Sequence, residues 1–147
     1  MSAGPSGYSG PQGLSGMIST DFISGLGANP TGTVIFLTPY ITVVITSTAQ
    51  HVFWVSTKVM GSTMSGGAGN LNIYPGFKLS TAANITPIGA GMYGLACLQN
   101  TRQVLTISAS VNGLSPGTYY FGMAGVSTSS TDWNWNEYGY VSYILMN

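Results

Sequence analysis

From residue 33 onward, apolar and polar residues alternate along the chain with the two-residue period of a β-strand. The alternation is clearest in 103–111. There the apolar residues share one face and the hydroxyl residues share the other: Leu105, Ile107, Ala109 and Val111 against Thr106, Ser108 and Ser110. Segments rich in Val, Ile, Thr, Tyr and Phe, bounded by Gly, Pro, Asn and Ser, predict strands at 33–38, 40–47, 50–60, 70–79, 92–98, 103–112, 117–126 and 138–146.

No segment shows a convincing helical period, and the many β-branched residues argue against helices. Turn signals separate the strands, the strongest being Asn-Gly-Leu-Ser-Pro-Gly at 112–117. About eight short strands joined in this way predict an all-β fold, an antiparallel β-sandwich or jelly-roll head domain over residues 33–147.

Several predicted strands are apolar or aromatic on both faces. In 117–126, Tyr119, Phe121 and Met123 alternate with Tyr120. Because a sandwich covers only one face of each sheet, a strand of this kind needs a second cover. We expect contact between subunits to supply it.

The N-terminal segment carries a different repeat. Glycine recurs every third residue, at Gly4, Gly7, Gly10, Gly13 and Gly16, with proline in the second place of two triplets. This is the Gly-X-Y register of collagen, in which three chains wind together and only glycine fits at the crowded axis. Residues 1–16 therefore predict a collagen-like stem of a homotrimer. The alternative is a flexible Gly/Ser/Pro linker.

Residues 17–32 are interpreted as a transition, or neck, between stem and head. They begin with a short apolar patch formed by Met17, Ile18, Phe22 and Ile23. In a trimer this patch is expected to meet its copies on the axis and to hold the three chains in register.

Charge is scarce, with only 4% of the 147 residues charged against about 25% in an average protein, and the net charge is zero. No basic patch favours nucleic acid or an anionic membrane surface. No apolar run approaches the roughly 20 residues of a membrane span. So neutral a surface is expected to self-associate.

Candidate chemistry is sparse as well. His51 is the only histidine, and Asp21, Asp132 and Glu137 are the only carboxylates. A Ser-His-Asp set using His51 with Asp132, or a glycosidase pair of Asp132 with Glu137, lacks the accompanying motifs. The single cysteine, Cys97, predicts a buried structural thiol. We therefore expect no enzyme, no catalytic residues, no metal site and no cofactor.

The segment 132–138 is the best candidate for binding. It sets aromatic rings among amides: Trp133, Asn134, Trp135, Asn136 and Tyr138. Aromatic faces cover the C–H surfaces of sugars and amides bond their hydroxyls, so these residues are candidates for a glycan or receptor contact. The alternative places Trp133 and Trp135 in the core or in the trimer interface.

Three segments resemble parts of the collagen-like fibre and spike proteins of viruses and bacteriophages, whose β-sandwich heads are similar to the C1q/tumour-necrosis-factor jelly roll. They are 41–55, with ITVV followed by AQHVFWV; 114–122, which reads LSPGTYYFG; and the Asn- and Trp-rich 132–140. Long fibres carry many more triplets than the five here, which favours a short spike or a capsid decoration.

The resemblance implies a non-enzymatic virion protein, a homotrimer held to capsid or tail proteins by its stem, with the head displayed to a host receptor or glycan. The start MSAGP shows no charged or apolar leader, so we expect assembly in the host cytoplasm and a place on the virion surface. The alternatives are a bacterial or spore-surface collagen-like glycoprotein, located at the cell surface, and a lectin-like carbohydrate-binding module.

Overall fold

The computed structural model describes residues 16–147. The stem glycines Gly4, Gly7, Gly10 and Gly13 lie outside the described residues. Residues 16–147 form β1 (Met17–Gly25), β2 (Ile35–Phe36), β3 (Ile41–Ile45), β4 (His51–Ser62), β5 (Ala68–Leu79), β6 (Thr86–Pro87), β7 (Met92–Cys97), β8 (Thr101–Asn112), β9 (Gly117–Ser127) and β10 (Trp135–Met146). A 3₁₀ turn at Ser130–Asp132 precedes β10. Over this range no helix is long and apolar enough to span a membrane.

The strands pair antiparallel in two sheets. Sheet I has the order β1-β10-β4-β8. In sheet II, β9 and β5 are central; β2 and β3 pair in succession with β9, and β6 and β7 pair with β5. If β2 and β3 are counted as one interrupted strand, and β6 and β7 as another, the domain has eight strands. The first (β1) then pairs with the eighth (β10), and the second (β2 with β3) pairs with the seventh (β9). This wrapped order is that of a jelly roll, so the predicted all-β antiparallel sandwich is confirmed.

The core lies between the sheets because each central strand buries every second residue. Trp54 of β4 packs edge-on against Phe121 of β9, with ring centroids 4.8 Å apart, and Phe77 of β5 stacks on Phe121 at 5.7 Å. The indole N–H of Trp54 is satisfied by the carbonyl of Gly122 at 3.2 Å. Residues on the inner face of sheet I thus meet residues on the inner face of sheet II, which joins the two layers.

Strand β1 differs from the prediction. Residues 17–25 belong to the predicted neck, yet they pair along β10 from Met17 opposite Met146 to Gly25 opposite Gly139. The alternation is missing because nearly every side chain of this edge strand is exposed. Conversely, the predicted strands 33–38 and 40–47 are two pieces of one edge of sheet II, with Pro39 between them.

Deletion of residues 1–25 is expected to destabilise the head, because it removes β1 and leaves β10 as an exposed edge. Each main-chain hydrogen bond lost contributes about 0.5–1.5 kcal/mol to the free energy of unfolding. The matched control is deletion of residues 1–15, which keeps Gly16, whose carbonyl accepts from the N–H of Asn147 at 2.7 Å. Urea denaturation measures both; equal stability of the two deletions would contradict the role of β1.

Candidate functional site

Trp133 lies in the core and not on a binding surface. Its side chain is 1% exposed, and it packs with Met60, Leu71 and Met123. Its indole N–H donates to the carbonyl of Gly69 at 2.9 Å. The proposed glycan contact is therefore wrong for Trp133, and the alternative that buries this ring is correct, because the turn Ser130–Asp132 directs it inward.

Trp135 and Asn134 are fixed by their neighbours. The Arg102 guanidinium lies 4.8 Å from the ring centroid of Trp135, a cation–π geometry. Glu137 closes this group, since its Oε2 accepts from Trp135 Nε1 at 2.9 Å and from Arg102 at 3.2 Å. The Asn134 amide bonds the main-chain N–H and the hydroxyl of Thr63. One face of the Trp135 ring is thus covered by Arg102.

Asn136 faces inward and holds a buried lysine. Lys58 is fully buried, and its ammonium donates to the Asn136 side-chain oxygen, to the carbonyl of Leu26 and to the carbonyl of Glu137. Burial lowers the pKa of Lys58 to about 8, while the nearby Glu137 carboxylate acts in the opposite direction. Lys58 lies on the same face of β4 as the buried Trp54, and a lysine in such a position gives no sign in the sequence that the face points inward.

The candidate residues lie at one end of the sandwich, which we call the tip: loops 26–31, 63–67 and 128–134 with the first residues of β10. Tyr138 is its most open aromatic, at 51% exposure. The opposite end, the base, holds Gly16, His51 and Asn147. Strand β10 has 12 residues and joins the two ends over about 36 Å, at about 3.3 Å for each step between residues.

A shallow hollow of about 280 Å³ opens at the tip. It is lined by Asn29, Pro30, Thr31, Ser130, Thr131, Trp133 and Asn134. Five of these seven residues carry a hydroxyl or an amide group, although most of the lining surface is apolar. The side-chain oxygen of Asn29 accepts no hydrogen bond from residues 16–147, but it is buried and therefore closed to a ligand. Hydroxyl and amide groups beside an apolar surface suit a polyhydroxylated ligand. Sequence reasoning missed Asn29 and Thr31 because they approach Asn134 only in the fold.

The outer face of sheet I carries little formal charge. Its outward side chains alternate between apolar and hydroxyl residues: Thr20, Phe22, Phe53, Val55, Thr57, Val104, Thr106, Ser108, Tyr140, Ser142 and Ile144. Phe22 is 66% exposed although it is a large apolar side chain. Formal charge on this face is confined to the tip, at Arg102 and Glu137.

The fold separates His51 from Asp132. His51 begins β4 at the base, opposite Met146 and Asn112, whereas Asp132 lies at the tip. Within residues 16–147 no three His, Cys, Asp or Glu side chains gather in a way that could hold a metal ion. Cys97 is buried and free, as predicted.

No protein-family model matches the chain, and no curated protein matches it. Among solved structures, it is similar to a chain in infectious bursal disease virus Gx strain, at 10% identity and a TM-score of 0.49, over 87% of this chain and 32% of that one. A chain of T=1 particles derived from infectious bursal virus is 9% identical, with a TM-score of 0.43, over 86% of this chain and 29% of that one. A family 16 carbohydrate-binding module is 7% identical, with a TM-score of 0.23, over 88% of this chain and 67% of that one. The chain spans about a third of the two virus chains.

Substitution of Trp133 by alanine is expected to lower the free energy of unfolding by about 3–5 kcal/mol, because it empties a buried site and removes one of the two donors to the Gly69 carbonyl, the other being the hydroxyl of Ser127. Tyr138→Ala, on the open surface of the same segment, is expected to change it by less than about 0.5 kcal/mol. Chemical denaturation monitored by circular dichroism compares the two. Equal effects would contradict the assignment of Trp133 to the core.

Proposed function

We propose that this chain is a non-enzymatic structural protein of a virus particle, a homotrimeric short spike or capsid decoration on the virion surface. The observation that carries the proposal is the continuity between the Gly-X-Y register and the uncharged outer face of sheet I. The register ends at Gly16 and β1 begins at Met17, without a linker between them.

That continuity determines which surface faces the threefold axis. Gly-X-Y triplets bring three chains to one axis, so three copies of β1 start close to it. The side chains that β1 then presents are apolar and exposed: Met17, Ile18 and Phe22. Contact between copies would remove them from water, and this face opposes the contact with little electrostatic repulsion, since Arg102 and Glu137 lie at the tip and Asp21 is the one charged residue of β1.

The polarity of the head supports display. The stem leaves at the base, so the tip points away from the surface to which the stem is attached. We infer that the stem binds capsid or tail proteins and that the tip contacts a host receptor or glycan. Three weak contacts per trimer, repeated over many spikes, would give firm adhesion through effective concentration. The same polarity would serve a bacterial or spore-surface collagen-like glycoprotein.

A lectin-like role is the second candidate, and the hollow at the tip favours it. Five of its seven lining residues offer hydroxyl or amide groups for bonding a sugar ring, beside an apolar surface that suits its C–H groups. In this proposal Asn134 and Thr131 contact the sugar, while the buried Trp133 supports the hollow through packing.

Mass measurement by light scattering is expected to give three times the 15.3 kDa of one chain, and deletion of residues 1–15 is expected to leave the head trimeric.

Phe22→Lys is expected to give monomers, because it places three charges near the axis. The matched control is Val44→Lys, since Val44 is an exposed apolar residue, at 56%, on the outer face of sheet II. A monomeric wild type, or a trimeric Phe22→Lys variant, would contradict the proposed axis.

Binding at the tip is tested by filling the hollow. Thr131→Arg is expected to lower binding to a glycan array or to host cells at least about tenfold, equivalent to about 1.4 kcal/mol, while the trimer mass and thermal stability remain unchanged. Thr42→Arg, on sheet II, is the control and is expected to bind like the wild type. Equal binding by the Thr131→Arg and Thr42→Arg variants would contradict the proposal that the hollow binds the ligand.

A further inference from the structure

Lys58 is in an unusual position for a lysine. It lies on the inner face of β4, opposite Leu105 of β8 and two residues from Met60 of the core. Its three acceptors are two main-chain carbonyls and the side-chain oxygen of Asn136, and none is a carboxylate. A buried ion pair would place an acid here, so charge pairing does not explain the arrangement.

The backbone of β10 is irregular where it supplies Asn136. The register between β10 and β4 shifts between Asn136 and Gly139. Asn136 stands opposite Met60, so its side chain points to the same inner face as Lys58. The amide nitrogen of Asn136 is bonded to the carbonyl of Gly27 at 3.3 Å. Both ends of the amide are therefore held, and the carbonyl carbon lies one bond beyond the oxygen that the amine contacts.

The contacts also orient the amine. Two of its hydrogens point to the carbonyls of Leu26 and Glu137, and the third points to Asn136. Loss of that third proton leaves a lone pair directed at the Asn136 amide. Burial favours the neutral amine, since it disfavours the charged form. A desolvated, neutral lysine held against a carbonyl is an activated nucleophile.

We propose that Lys58 and Asn136 form an intramolecular isopeptide bond that joins β4 to β10 at the tip. The neutral Nζ attacks Cγ of Asn136, so the Nζ–Cγ bond forms and the Cγ–Nδ2 bond breaks. One hydrogen of Nζ moves to Nδ2, which leaves as ammonia, and the other remains on the new amide. The exchange is redox-neutral and requires no co-reactant.

Glu137 is the group that would carry the proton. It follows Asn136 directly, its main-chain carbonyl holds the amine, and its carboxylate acts on the charge of Lys58. The bonds from Trp135 and Arg102 both use Oε2, so Oε1 is engaged by neither of them, and the proposal requires it to approach the amine. Glu137 thereby has two separable roles, since a glutamine in its place keeps the carbonyl and removes the acid.

The chain contains its own control for this chemistry. Lys78 is the other lysine, and its Nζ donates to the carbonyl of Ala82 at 3.0 Å with no side-chain amide among its partners in residues 16–147. Of the two lysines, Lys58 is therefore the one whose side-chain amine contacts a side-chain amide among residues 16–147. The proposal concerns the head alone and does not depend on the virion role.

Intact-mass spectrometry of the denatured wild-type protein is the test. We expect a mass below that of the sequence by one ammonia. Trypsin cuts after lysine and arginine and fails at a lysine whose amine is bonded, so we expect residues 1–78 joined to residues 103–147 in one branched product. Full sequence mass, with separate fragments 1–58 and 103–147, would overturn the proposal.

Variants exclude other sources of ammonia loss. Lys58→Arg keeps the charge and is expected to restore the full mass, whereas Lys78→Arg is expected to retain the loss. A loss that persists in Lys58→Arg would come from succinimide formation, for which Asn112-Gly113 is a candidate, and would overturn the proposal. Glu137→Gln is expected to leave most of the refolded protein unlinked; linkage as complete as in the wild type would contradict the role of its carboxyl.

Discussion

Strand β10 lies between β1 and β4, and this double pairing determines the position of every other functional feature. At its C-terminal end, Met146 pairs with Met17, which fixes the stem at the base. At its N-terminal end, Asn136 reaches Lys58 of β4, which closes the tip. Because one antiparallel strand spans both ends, Gly16 and the candidate binding surface lie at opposite ends of the described residues. The proposal of a head that attaches by one end and displays the other rests on this single pairing.

Charged residues are scarce in this chain, at 4% of the sequence, and this scarcity determines the character of both its outer face and its core. Apolar and hydroxyl side chains share the outer face of sheet I, and in the proposed trimer this face would lie toward the axis. Inside the head, the one buried charge is stabilised by neutral oxygens rather than by an acid, since the nearest carboxylate, that of Glu137, is bonded to Trp135 and Arg102. Neutral contacts therefore serve both the core and the proposed subunit interface.

The sequence predicted the sandwich because strands such as β4, β8 and β9 each bury one face, which produces the two-residue period. It did not reveal β1, whose side chains are exposed on both faces. It identified the segment 132–138 but left open whether Trp133 faces inward, since that direction depends on a 3₁₀ turn. Lys58 escaped notice because alternation assigns a residue to a face without saying which face is buried, and the irregular register that presents Asn136 leaves no pattern in the sequence.

Cryo-electron microscopy of intact particles that carry this protein tests the central claim most directly. The account predicts jelly-roll heads in groups of three on the outer surface, with the β1 strands around each threefold axis, the base toward the particle and the tip outward. Particles without this density, or single heads with the tip facing inward, would contradict it.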